Sequence, residues 1–352
     1  MPSLGVPSGT VHPRLTANRR VLPGALRGGI ALVGLLLATA VAAPLLAPQD
    51  PIEQVDPAVA QGRPPGTSLP EIHLRDGRRL LADRVARLPE GLVAERLGRS
   101  ESFPAAAVAN LTAGGVGDRR RFLLGSDRFG RDVLSRILYG ARVSLAIGIF
   151  AVSLALTLGI AVGALAALGG SLLDALLMRL VDALLAFPSF FLVIALSALF
   201  HSGTVAVVLI LAATSWMETS RLARAEIQSL KRRDFILAAR ATGEGPVAIF
   251  FRHLLPNALT PLLVQAALLV GSLILAESSL SFLGLGIQPP TPSWGNMVAD
   301  GRDLLVTAWW MSTFPGAALA LTVIAFNLLA DGVRDLLDPR SRGGLPFSPP
   351  AL

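Results

Sequence analysis

The stretch RDFILAARATGEGPVAIFFRHLLPN (Arg233–Asn257) decides the reading of this chain. It falls between two apolar runs, Thr204–Met217 and Thr260–Gly284, and reads as helix, glycine-proline break, helix. Asp234 is placed to cap a helix from Phe235 to Thr242. Gly243 and Gly245 let the chain turn, and Pro246 suits the first turn of a second helix. That second helix is expected to stop near Leu254, before Pro256. Ala238, Ala239 and Ala241 leave the first helix with a nearly smooth side, open to close approach by another protein. Phe250, Phe251 and Leu255 are expected to anchor the second helix to its own bundle. A helix lying on lipid is the competing reading. Such helices are rich in Lys with Leu or Trp, whereas this one is mostly alanine where it meets the turn, so the residues favour a protein-docking loop.

The rest of the chain explains where such a loop would sit. Of the 352 residues 52% are hydrophobic and only 16% charged, against about 25% charged in a soluble domain. Mean hydropathy is +0.60. Crossing the hydrocarbon takes roughly 20 apolar residues. Six segments qualify or nearly so: Gly29–Ala47, Val143–Leu168, Leu176–Phe200, Thr204–Met217, Thr260–Gly284 and Met311–Ala330. The fourth is short, and is either sheltered in the bundle or extended through Ser220. Pro188 can kink the third. The basic start and small residues near span 1 resemble a cleaved leader. The long n-region and full-length apolar run point instead to a retained anchor.

The net charge of +7 would suggest nucleic acid in a soluble protein. Here the charges lie at the ends of spans instead, so no nucleic acid is expected. Arg14, Arg19, Arg20 and Arg27 precede span 1, and Arg179 opens span 3. Arg221, Arg224, Lys231, Arg232, Arg233, Arg240 and Arg252 lie between spans 4 and 5, and Arg334, Arg340 and Arg342 follow span 6. These fifteen basic residues fall on one side, and Arg302 alone marks the short loops of the other. The excess of cations in cytoplasmic loops puts both termini in the cytoplasm. The long outer segment does not count against this, because the rule holds for loops under about 60 residues.

Within that outer segment, residues 71–111 carry short alternating runs (Ile72, Leu74; Leu80, Val85; Leu92, Val93, Leu97) punctuated by Asp76-Gly77, Pro89-Glu90-Gly91 and Gly98. This pattern predicts a small antiparallel meander or barrel. Pro48–Pro70 and Ala113–Gly117 would tether it. Next, GSDRFGRDVLSRILYGARVSL (Gly125–Leu145) offers Ser126 and Asp127 as helix caps, with Arg128, Arg131 and Arg136 among Asp127 and Asp132. A short helix on the outer surface is expected there.

Ala155, Gly159, Gly163 and Ala167 form a stripe of small residues on span 2, suited to close packing within the bundle. Glu277 lies near the outer end of span 5, and Arg179 and Asp182 are spaced to pair on span 3. Structural roles are favoured for all three, although ionisable groups at membrane depth are functional candidates by default. The four histidines (His12, His73, His201, His253) have no metal-ligand spacing. The chain has no cysteine, so thiolate sites are excluded. A P-loop needs G-K-[ST]. The one lysine, Lys231, follows Leu230, so this chain holds no Walker A site.

The opening stretch resembles the EAA loop of permease subunits of ABC importers. Its hallmarks are here Ala238-Ala239, Gly243 four residues later, and Leu255-Pro256. It departs from that pattern at Leu237, where a glutamate would stand, and at Glu244 and Pro246 in the turn. APLLAPQDP (Ala43–Pro51), Gly125–Leu145, LVDALLAFPSFFL, ESSLSFLGLGIQPPTPSWGNM and DGVRDLLDPR (Asp331–Arg340) resemble, in order, the second permease subunit of dipeptide, oligopeptide and nickel importers. The likeness covers about 20–60 and 120–340, and the meander lies outside it.

The resemblance implies an all-α integral membrane protein, a six-helix MetI-like ABC importer permease bundle with a β-rich outer insert. Residues 1–28 would be cytoplasmic, 29–47 the first span, and 48–142 the outer segment. Residues 143–334 would form the core with its coupling loop at 219–257, and 335–352 a cytoplasmic tail. Asp234, Ala238, Ala239, Arg240, Ala241, Gly243, Glu244 and Gly245 would couple to an ATPase. Arg131, Asp132, Asp182, Pro188, Arg221, Arg224 and Glu277 are structural or gating candidates. The partners implied are a homologous permease subunit, two ABC ATPase subunits that bind ATP and Mg, an extracytoplasmic solute-binding protein, and lipid of a bacterial inner membrane. No cofactor and no catalytic residue is expected in this chain. Peptides are the expected cargo, with nickel, antibiotic-like peptides or glycosides as alternatives. A proton-driven secondary transporter, the rival class, needs paired acidic residues deep in the spans, and none are present. A membrane scaffold that only anchors the insert leaves the opening stretch unexplained.

Overall fold

The computed structural model describes residues 24–112, 115–200 and 203–337. The bundle is built from α1 (Gly24–Leu46), α3 (Val133–Leu168), α6 (Thr204–Leu230), α9 (Leu255–Phe282) and α11 (Trp310–Leu337), with α4 (Ser171–Leu185) and α5 (Ser189–Leu199) between α3 and α6. Short helices α2 (Pro57–Ala60), α7 (Asp234–Ala241), α8 (Pro246–Ile249) and α10 (Trp294–Gly301) complete the set. Five rods are long and apolar enough to cross a membrane, and α4 with α5 makes a sixth, broken span bent by 82°. Phe187-Pro188 sits at the break, as the fixed φ and missing N–H of proline require. The weak fourth span runs on to Leu230. Its polar second half is carried by packing against α3 rather than by hydropathy.

Helix α3 and α6 touch along most of their length. The small-residue stripe makes this possible. A Cβ at Gly159 would lie 2.6 Å from the Thr219 Cβ, and one at Gly163 would lie 2.5 Å from the Ser220 oxygen. The stripe therefore serves packing inside the chain. The same device joins α1 to α11: Gly29 lies on the backbone of Leu329, and Gly332 on that of Leu26. Leu145, Ile147, Leu211, Ile274 and Phe326 fill the space between the helices.

Two sequence expectations fail at the start of α3. There is no separate surface helix, because the helix is continuous from Val133. At 36 residues it is about 54 Å long, well beyond the hydrocarbon. Its cap is Asp132, whose carboxylate accepts from the Ser135 N–H at 2.8 Å, and not Ser126 or Asp127. Those two residues are engaged elsewhere: the Ser126 hydroxyl donates to the Ala60 carbonyl, and Asp127 holds Arg131 at 2.6 Å.

The insert between α1 and α3 is antiparallel throughout and larger than 71–111. Its strands are β1 (Thr67–His73), β2 (Arg79–Leu81), β3 (Arg84–Leu88), β4 (Gly91–Arg96), β5 (Arg99–Pro104), β6 (Leu111–Thr112), β7 (Gly115–Val116) and β8 (Arg119–Phe122). They form sheets in the order β2-β1-β8, β3-β4-β5 and β6-β7. The meander is β3-β4-β5, its second turn made by Leu97 and Gly98, both at positive φ. Strand β1 pairs with β8 from Thr67↔Phe122 to Pro70↔Arg119, so the two ends of the insert are clasped together. Thr67–Pro70 and Gly115–Val116 are thus strand, not tether. One small core (Leu69, Leu81, Phe122) rests on Val55, Val59 and Ala60 of the stem. A second (Ile72, Leu74, Leu92, Ala94, Val108) joins the meander to β1 and to the segment after β5.

Candidate functional site

The opening stretch forms a loop fastened on one face and bare on the other. Helix α6 delivers the chain to it. Lys231 donates its Nζ to the Ala167 carbonyl at 2.6 Å, pinning the end of α6 to the end of α3. Arg224 grips Asp174 through two bonds, Nη2 to Oδ2 at 2.6 Å, and Gln228 adds a third at 3.3 Å. The start of α4 is thereby tied to α6. Arg221 reaches Asp182 at 3.8 Å with both side chains exposed. Asp182 thus faces α6, and the expected pairing with Arg179 gives way to this one.

Helix α7 begins at Asp234, not Phe235. Asp234 lies inside the first turn, and the cap residue, Arg233, has no side-chain bond. An acid in the first turn and Arg240 in the last complement the helix dipole. Ile236 (0% exposed) and Ala239 (8%) point inward, onto Ile227, Ile249, Leu254 and Leu262. The smooth side expected to face outward is therefore divided: Ala239 packs on its own bundle, while Ala238 and Ala241 are exposed with Phe235 and Leu237. Gly243, at φ +82°, ends the helix. Its N–H donates to the Arg240 carbonyl at 3.0 Å, and the Glu244 N–H to the Ala239 carbonyl at 3.1 Å, the paired closure of a Schellman motif. Gly245 has φ −70° and needs no glycine for its conformation.

The second helix does not stop before Pro256. Helix α8 passes through one wide π turn, Phe250–Leu254, straight into α9, giving a 37-residue rod from Pro246 to Phe282. Proline ends a helix because it lacks an N–H and crowds the preceding turn. In the wide turn the Leu255 N–H already reaches back to the Phe250 carbonyl, five residues away, so the crowding is relieved. Phe250 is partly buried against the loop's core, whereas Phe251 is exposed. The inward anchors are Ile249 and Leu254. His253 Nε2 meets Glu244 Oε2 at 2.9 Å, which staples the end of α7 to the wide turn. This pair, nine residues apart, gives no periodic signal in sequence.

The outer result is a small apolar surface of Phe235, Leu237, Ala238, Ala241, Val247 and Phe251, with exposed Arg232, Arg233, Arg240 and Arg252 around it. Exposed apolar patches of this kind mark contact with a protein or with a membrane.

The remaining candidates lie at the opposite end of the bundle. Arg131 pairs with Asp127 and reaches Asp300 at 3.4 Å, and Arg128 meets Asp300 at 2.9 Å. With buried Arg136 they tie the start of α3 to α10. Burial pushes the Asp132 carboxyl above the usual carboxylate range, and its bonds from Ser135 oppose that rise. Glu277 is fully buried and lies five residues before the end of α9, near the end of its span as expected. It accepts from the Ser281 hydroxyl at 2.6 Å, which in turn accepts from the Ile287 N–H at 3.1 Å, holding the loop after α9. No three acidic or histidine side chains gather as a metal site among the described residues. His12, His201, Arg14, Arg19, Arg20, Arg340 and Arg342 lie outside the described residues, as does Ala113.

Fold and site define a helical protein with five to six spans long and apolar enough to cross a membrane, and with a loop between α6 and α9 that is fastened on one face and bare on the other. The chain belongs to the family of binding-protein-dependent transport system inner membrane components, which matches residues 155–343 and so includes that loop. The resemblance to dipeptide-type permease subunits holds. The chain is 45% identical over 224 residues to the di/tripeptide transport system permease protein DppC of Pseudomonas aeruginosa, covering 64% of this chain and 74% of that one. It is 43% identical over 218 residues to the dipeptide transport system permease protein DppC of Alkalihalophilus pseudofirmus, covering 62% and 72%. Among solved structures, an inward-facing form of the MetNI methionine ABC transporter matches at 18% identity and a TM-score of 0.48, covering 58% of this chain and 98% of that one.

Proposed function

We propose that this chain is one of two permease subunits of an ATP-driven importer, and that α7 is the surface seated in an ATP-hydrolysing partner. The observation that carries the reading is the two-faced loop: Ile236 and Ala239 lock α7 to α6 and α9, while Ala238 and Ala241 stay bare. A helix held this way moves with its bundle as a rigid body. Closure of the two ATPases would tilt α6 and α9 together and open the pathway alternately to each side. The cargo is peptide, supported by the names of the relatives, and an extracytoplasmic binding protein delivers it. Copurification tests the reading. The tagged chain, coexpressed with the ATPases of its own operon, is expected to retain them in detergent, and a chain recovered alone at full yield would refute it.

The orientation belongs to the same proposal. The fifteen-to-one bias of basic residues supports both termini in the cytoplasm of a bacterial inner membrane. With Gly66→Cys, an impermeant thiol reagent should label intact cells. With Gly245→Cys it should label only after the cells are opened. Labelling at 245 in intact cells would reverse the topology.

A further inference from the structure

A cavity of about 470 Å³ opens at the end of the bundle where α3 begins. One wall is Gln61 and Gly62, just after α2, and the other is the link from α10 to α11, with Leu304 and Ala308. Arg128, Asp300 and Asp303 also line it. Small-molecule sites span about 300–1,000 Å³, so the volume suits a small ligand. Hydrogen bonds fix the walls. The Gly62 N–H donates to the Asp127 carbonyl at 3.0 Å, and the Ser126 N–H to the Arg63 carbonyl at 2.9 Å. Trp310 Nε1 donates to the Ser126 carbonyl at 3.1 Å, which ties this loop to the start of α11.

A chain of ion pairs ends at this cavity. Arg136 lies 3.5 Å from Asp127, and Asp127 holds Arg131 at 2.6 Å. Arg131 reaches Asp300 at 3.4 Å, and Asp300 meets Arg128 at 2.9 Å. Three guanidiniums thus share two carboxylates. Arg131 and Arg136 are buried while Arg128 is half-exposed, so the surplus positive charge reaches solvent at the cavity. The Arg128 guanidinium lies 4.7 Å over the Phe129 ring, a contact that steadies its position. Asp303 supplies the opposite sign. Its carboxylate is exposed and meets the exposed Arg302 at 3.3 Å, a pairing that water weakens.

We infer that this cavity binds a short free peptide by its two charged ends, the carboxylate on Arg128 and the ammonium on Asp303, with Leu304 and Ala308 beside its side chains. The guanidinium fork matches a carboxylate. A ligand of one sign fits less well. An anion alone meets Asp303 and a cation alone meets Arg128, whereas a zwitterion meets each with opposite charge. The inference rests on the proposal that the cargo is peptide. Under the proposed orientation the cavity faces the side from which peptide arrives. It is independent of the ATPase contact.

Isothermal titration of the full chain in neutral detergent tests it, with alanyl-alanine as the probe. The parent should bind alanyl-alanine, and its C-terminal amide and its N-acetyl form should each bind roughly tenfold or more weakly. Arg128→Gln and Asp303→Asn should each lose a similar factor. The control Arg84→Gln, exposed on β3 outside the cavity, should bind as the parent does, with matched melting temperatures throughout. Parent-like binding in either cavity variant, or equal binding of the free and blocked peptides, would overturn the site. Displacement by acetate at the same concentration would show a simple anion site and overturn the peptide assignment. Import of alanyl-alanine by cells carrying the whole operon separates the two readings. Import without binding to this chain overturns the cavity alone, whereas neither binding nor import overturns the peptide cargo as well.

Discussion

Tryptophan in place of Ala238 or Ala241 is expected to strip the ATPases from the purified chain while leaving the amount and melting temperature of the chain unchanged. Both alanines are exposed, so the larger side chain costs the permease itself little. In a docked complex the same ring would occupy the space of the partner's groove. A loss of about tenfold in binding, or about 1.4 kcal/mol, is the least that such a clash should produce. Ala239→Glu separates the two faces. It puts a carboxylate among Ile227, Ile249 and Leu254, where an unpaired charge costs several kcal/mol. That variant should loosen the loop and lower the thermal midpoint of the chain itself. If Ala238→Trp and Ala241→Trp both retain the ATPases and transport normally, α7 is not the coupling surface.

The second large effect lies inside the bilayer. Gly163→Leu should prevent α3 and α6 from closing, because even a Cβ there meets the Ser220 carbonyl and Ala223. Backbone atoms cannot move aside as a side-chain tip can, so overpacking should cost about 3 kcal/mol or more. The expected readout is loss of the monodisperse peak in size exclusion. Gly34→Leu provides the contrast. Gly34 is exposed on α1 with nothing within 4 Å of a Cβ. The same change there should be neutral or mildly stabilising, since glycine inside a helix costs about 1 kcal/mol. Equal behaviour of the two variants would remove the packing role of the stripe.

The apolar spans were legible because a run of about 20 uncharged residues matches the thickness of the hydrocarbon and little else in a folded chain. The broken third span was legible through Pro188, and the helix–turn–helix form of the opening stretch through its alanines and the glycine-proline turn. Other features were hidden for physical reasons. Pro256 reads as a stop signal, and only the preceding wide turn makes it harmless. Strand β8 reads RRRF, a charge cluster. Its alternation appears only when Arg120 is seen buried among Gln49, Glu53 and Glu71. Asp132 and Asp127 are equally good caps by residue type, and the ion pair to Arg131 removes Asp127 from that role. Which of three neighbouring alanines faces inward depends on the phase of an eight-residue helix, which a start shifted by one residue is enough to change.

The bond from Lys231 to Ala167 has a practical side. Lys231 is the one lysine in the chain, so apart from the amino terminus it is the only primary amine. Amine-directed dyes, crosslinkers and mass tags therefore have a single side-chain address. That address lies where α6 ends, three residues before α7 begins. An amine engaged with a carbonyl reacts more slowly than a free one, so the acylation rate of the unaltered protein reports how often the clasp between α3 and α6 opens. The arginine-rich composition thus leaves a built-in gauge of motion beside the loop, readable without engineering a label.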